Sequence, residues 1–115
     1  MSEIKIDEKT VKKEIRRLER VYRQLPENQF IVAKGLIEQA ARLKVRLDVL
    51  WADIVEHGEI EMFSQSDKTD PYERERPSAR LFTATDKNYQ AVIKQLNELT
   101  PASAPKSKLS ALRDE

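Results

Sequence analysis

Apolar side chains recur at helical spacing in three blocks of this chain, separated by proline, glycine and polar text. Val11, Ile15, Leu18, Tyr22 and Leu25 are spaced by four, three, four and three, which places them on one helix face. The pattern predicts a first helix over 7–25, opened by Asp7, whose carboxylate can cap free N–H groups. Pro26 disfavours helical backbone in the residue before it and suits the first turn of a new helix, so a tight break is expected there. A second helix is predicted over 27–57. Phe30, Ala33, Ile37, Ala40, Leu47, Trp51 and Ile54 form one seam, interrupted at Lys44, and Leu36, Leu43 and Leu50 run along its flank. That face is wider than a single partner helix needs. At about 1.5 Å per residue the helix reaches roughly 45 Å. Gly35 costs about 1 kcal/mol relative to Ala, which suggests a close backbone approach or a bend, and Gly58 is a natural stop.

Residues 58–77 read as a polar connector. Ile60, Met62 and Phe63 leave two readings open, a return onto the core or one short strand. Asp70-Pro71-Tyr72-Glu73 resembles a cap, a first-turn proline and an acidic third position, which predicts one helical turn. A third helix is predicted over 78–99, with Leu81, Thr85, Tyr89, Val92, Leu96 and Leu99 on one face and Phe82 and Ile93 beside them. From 100 to 115 the text is small, polar and proline-bearing, and reads as a flexible tail. The expected fold is therefore all-α, a single domain over 1–99. It consists of an antiparallel helical hairpin and a third long helix, joined by the connector.

Composition narrows the function. Charged residues make up 36% of the chain, enough for long solvated helices, and no run approaches the roughly 18 consecutive apolar residues that a membrane span needs. Only two glycines occur, which argues against phosphate-cradling loops, and the absence of cysteine excludes disulfides and thiolate metal sites. The opening MSEIKIDEKT has no apolar core, so no signal peptide is expected and an intracellular protein is. His57 is the only histidine, and its place in the last turn of a helix suits the helix dipole better than catalysis. No motif for nucleophilic, metal or phosphoryl-transfer chemistry is present, so neither an enzyme nor a cofactor is expected.

The net charge of +1 does not announce a nucleic-acid partner, so placement has to carry the argument. Lys9, Lys13, Arg16, Arg20 and Arg23 repeat with the same spacing as the apolar face of the first helix, two residues out of phase. That offset is about 200° around a helix, opposite the buried side. Lys12 and Arg17 widen the positive surface, and Glu8, Glu14 and Glu19 dilute it. Such a stripe can lie along phosphates, and the competing reading is an ordinary solvated face. The connector is acidic, with Glu59, Glu61, Asp67, Asp70, Glu73 and Glu75. Opposite biases in one chain suit head-to-tail packing of subunits. Trp51 and Tyr89 are expected in the core, and Phe63 and Tyr72 are better placed for a partner.

The text from Leu36 to Leu99, from Leu36-Ile37-Glu38-Gln39-Ala40-Ala41 through the connector to Asn88-Tyr89-Gln90-Ala91-Val92-Ile93, resembles the small terminase subunits of tailed bacteriophages and prophages. In that family a helical hairpin or bundle drives assembly into rings. An N-terminal helical region recognises packaging-site DNA, and the C-terminal tail engages the large subunit, which carries the ATPase and nuclease. The resemblance implies a non-catalytic subunit in the cytoplasm of a bacterial host cell. Its partners would be phage double-stranded DNA, the terminase large subunit and further copies of itself, with no membrane.

On this resemblance Lys9, Lys13, Arg16, Arg20 and Arg23 would meet DNA. Leu36, Leu43 and Leu50, with Phe63 and Tyr72, would form the oligomer interface. Lys106, Lys108, Leu109, Leu112 and Arg113 would touch the large subunit. The 25 residues before Pro26 are too few for an independent helix-turn-helix domain, so the DNA contact falls to the single basic helix. A second reading from another class is a helical protein-interaction adaptor that never binds nucleic acid.

Overall fold

The computed structural model describes residues 5–99 and is mostly helical, as expected. The tail residues assigned above to a large-subunit contact lie outside the described residues. Helix α1 spans Glu8–Tyr22, α2 spans Glu27–His57 and α3 spans Pro77–Leu99. Asp7 caps α1, its Oδ1 accepting from the backbone N–H of Lys9 at 3.0 Å. The helix ends at Tyr22, three residues earlier than predicted. Leu25 instead closes a turn onto the carbonyl of Tyr22 and is itself buried, so its apolar side chain serves the core from outside the helix.

Both flanking helices pack on α2. Leu18, Tyr22, Ala33, Ile37, Ala40, Ala41, Val92 and Leu96 form one buried cluster, drawn from all three helices. The alanines let the backbones approach, and the larger side chains of α1 and α3 fill the space against them. Tyr22 Oη donates to Asn97 Oδ1 at 3.0 Å and ties α1 to the far end of α3. The width of the α2 face thus has an explanation inside the chain: two helices cover it. Only half of it is covered twice, because α1 is about 22 Å long and α2 about 46 Å. Beyond the reach of α1 only α3 packs on α2, where Leu47, Leu50 and Ile54 are buried. Trp51, expected in the core, is 54% exposed there. Gly35 has open space around it and no close neighbour, so the expected backbone approach is absent.

The connector is a β-hairpin, where the sequence suggested one short strand and a helical turn. Strand β1 is Ile60–Phe63 and β2 is Tyr72–Glu75, antiparallel, with Ile60 opposite Glu75 and Phe63 opposite Tyr72. The Asp-Pro-Tyr-Glu signal for a helix start is overridden by cross-strand contacts. Phe63 and Tyr72 meet edge to face at 5.9 Å, and the Arg74 guanidinium lies 3.6 Å over the Phe63 ring. Arg74 Nε also donates to Glu61 Oε2 at 2.8 Å. Ser64 Oγ reaches the carbonyls of Ser66 and Thr69, at 2.6 and 3.0 Å, and holds the loop together.

A polar clamp fixes the hairpin to the helices. Gly58 ends α2 with φ +82° and ψ 179°, a conformation open almost only to glycine, and its N–H donates to the Ile54 carbonyl at 2.7 Å. Across the gap, Asp53 accepts from Ser78 Oγ and lies 3.1 Å from Arg76 Nη1. Arg76 also donates to the carbonyls of Gly58, at 2.9 Å, and Glu59, at 2.7 Å. The Ser78 hydrogen bond, helped by Arg76, holds the Asp53 carboxyl below its ordinary value although partial burial pulls the other way. Pro77 then opens α3, where a missing N–H costs nothing.

Candidate nucleic-acid interface

Helix α1 divides by chemistry into two sides. Leu18 and Tyr22 point into the bundle, and Val11 and Ile15 are packed against it. Lys9, Lys13, Arg16, Arg20 and Arg23 all stay exposed, and Arg23 is the residue that follows the last helical one. The fold therefore keeps the five sequence-predicted cations together on one outer face, about 21 Å from first to last. None of the five is ion-paired among the described residues. Arg17 behaves differently from the widening cation the sequence suggested. It turns away into a two-pronged bond with Glu14, Nε to Oε1 and Nη2 to Oε2, both 2.7 Å. This pairing removes one diluting carboxylate from the outer face, since Glu14 is occupied on the groove side.

Of the leucines assigned to an oligomer interface, Leu50 is fully buried in its own chain, whereas Leu36 and Leu43 are partly buried against the core. These leucines lie on the α2 flank that the other helices cover. Tyr72 is exposed and Phe63 is half-buried beneath Arg74. The remaining apolar exposure lies elsewhere, at residues that periodicity alone did not single out: Ile31, Val32, Val55, Ile60 and Met62.

A second feature is an open groove of about 950 Å³ beside the uncovered half of α2. Leu47, Trp51, Phe82 and Tyr89 line it, with Glu14 and Arg17 at the α1 side. The rings of Trp51 and Phe82 lie 5.6 Å apart and tilted. Burial pushes the Tyr89 phenol above its ordinary value, so it remains a neutral hydrogen-bonding group there. The lining mixes these apolar side chains with charged ones, among them Lys44 and Asp48.

His57 sits at the end of α2 with Nε2 3.8 Å from Asp53 and from Glu56, a position that suits the helix dipole. Among the described residues no group of three or more His, Asp or Glu side chains could hold a metal ion. No helix among them is long and apolar enough to cross a membrane.

Fold and surface together define a three-helix protein with a protruding two-stranded hairpin, a basic outer helix face and an acidic connector. No protein-family model, curated protein or solved structure matches the chain.

Proposed function

We propose that this chain is a non-catalytic DNA-recognition and oligomerisation subunit of a phage DNA-packaging terminase, which recruits the large ATPase and nuclease subunit. The observation that carries the DNA part is the row of five exposed cations on α1, none of them ion-paired among the described residues. A solvated helix face usually alternates its charges and pairs them three or four residues apart. Here the outer row is all cationic, and the nearby Glu14 is occupied by Arg17 on the other side. The resemblance of residues 36–99 to small terminase subunits supplies the packaging context. In this reading the ring, the large subunit and the phage duplex are the partners, and chemistry on the DNA belongs to the large subunit.

One observation favours the second reading, a protein-interaction adaptor: the groove around Trp51 and Phe82 is a ready contact surface for an amphipathic helix. Retention on duplex DNA separates the two. A phosphate-binding subunit is held at low salt and released steeply as salt rises, whereas an adaptor flows through at every salt concentration.

A further inference from the structure

The groove beside α2 runs along α3 from Phe82 to Glu98, with Leu47 and Trp51 of α2 on its other wall. Helices α1 and α3 close the core, but Trp51 keeps 54% of its surface exposed beside the Phe82 ring. Aromatic surface of this kind gains by being covered.

The charges in the lining are only partly matched. Arg17 holds Glu14, and Lys44 holds Asp48 at 2.9 Å. Asp86, Lys94 and Glu98 have no ion pair among the described residues. Asp86 stands one turn from Phe82 and accepts from Gln90 Nε2 at 3.1 Å. Lys94 lies two turns further along α3, about 12 Å from Asp86. The aromatic end of the groove therefore combines apolar rings with a carboxylate that no cation holds.

The chain resumes at the other end of this groove, since Asn97 and Glu98 line it and α3 closes at Leu99. Among residues 100–115 the large apolar side chains are Leu109 and Leu112. Lys106 and Lys108 precede them, Arg113 follows, and no acidic residue occurs between 100 and 113. Leucines for the rings and cations for Asp86 are what the aromatic end lacks. The reach is sufficient. From Leu99 back to Phe82 α3 rises about 26 Å, and residues 100–108 span up to about 30 Å when extended.

From this match we infer that segment 106–113 occupies the groove of its own chain. Leu109 and Leu112 lie against Trp51 and Phe82, and Lys106 and Lys108 face Asp86. A short tether holds the segment near the groove at an effective concentration on the order of mM, so a weak contact keeps it there. The inference goes beyond the terminase reading and does not depend on it. On that reading the same segment meets the large subunit, so the groove holds it until that partner competes for it.

Trp51 is the only tryptophan, so the full chain reports on its own groove. Leu109→Glu with Leu112→Glu changes no residue of the bundle, and the helical circular dichroism should match wild type. Acrylamide quenching of Trp51 should rise about twofold in that variant, with emission shifted to the red, as the cover is lost. Asp86→Lys should raise quenching in the same way, and adding Lys106→Asp with Lys108→Asp should bring it back. Equal quenching of wild type and the leucine variant, or no restoration by the charge swap, would overturn the inference. The groove then stays open to a partner, as the adaptor reading has it. A difference between wild type and variant that grows with protein concentration would also overturn it, because the occupant then comes from a second copy. No DNA enters the measurement, so its failure and the failure of the DNA role are read separately.

Discussion

Replacing Arg16, Arg20 and Arg23 together with glutamate isolates the basic face of α1. The three side chains are exposed and make no hydrogen bond or ion pair among the described residues, so the bundle loses no packing. The cost to the helix is small: Arg20 lies in the last turn, where a cation suits the dipole, worth about 0.3–1 kcal/mol. The cost to DNA binding is large. If the five cations of the row each displace one condensed counterion, the logarithm of the association constant falls with the logarithm of salt with a slope of about −4.5. Between 50 and 200 mM salt that amounts to a loss of about 500-fold. The variant keeps two cations and turns three carboxylates toward the phosphates, so its slope should be about −2 or flatter. Fluorescence anisotropy with a labelled duplex at four salt concentrations measures both slopes, and circular dichroism checks that the helices persist. Equal slopes and equal affinities for the two proteins would refute the assignment of DNA binding to this face.

Three further changes probe the fold that presents it. Asp53→Asn should destabilise the protein by about 1–3 kcal/mol at neutral pH, because the clamp on Ser78 and Arg76 loses its charge. The folded Asp53 carboxyl lies below its ordinary 3.8, so its contribution is complete above that pH and is lost as the pH falls through the lower folded value. Urea titrations should therefore show the gap between the two proteins closing under acid conditions, and a gap independent of pH would contradict the clamp. Gly35→Ala should stabilise by about 1 kcal/mol, since the glycine has open space in a helix interior, and should raise Tm by ~4–8 °C. A lower Tm would mean that something covers that position. Leu96→Ala, at a fully buried site of the three-helix cluster, should cost about 2–5 kcal/mol in chemical denaturation. A loss under 1 kcal/mol would show that the cluster is not the core.

The three helices were legible because each carries its own apolar face and its own punctuation: Asp7, Pro26, Gly58 and Pro77 all stand at boundaries. The inward and outward sides of α1 follow from spacing alone, which is why the five cations were found together. Trp51 was misplaced for a geometric reason. It lies beyond the reach of α1, where α3 alone packs on α2 and buries Leu47, Leu50 and Ile54 but leaves Trp51 largely exposed. Which part of the long seam a second helix covers is not written in the spacing of α2 itself.

The hairpin was hidden because its strands have only four residues each, and apolar Ile60 and Met62 stand on the exposed side while Glu61 and Arg74 stand on the partly buried one. What builds it is pairing across 10 or more residues, such as Glu61 with Arg74, and local spacing carries no trace of that. The exposed apolar side chains near the start of α2 were invisible for a related reason. Ile31 and Val32 are ordinary apolar letters until the packing of α1 and α3 leaves them outside.

The account turns on whether copies of this chain assemble and hold duplex DNA through α1. Native mass spectrometry of the wild-type protein mixed with a short duplex, at low and moderate salt, addresses both at once. The account predicts a single closed assembly that carries the duplex at low salt and sheds it, still assembled, as salt rises. A monomer at high concentration beside free duplex at every salt concentration would contradict it.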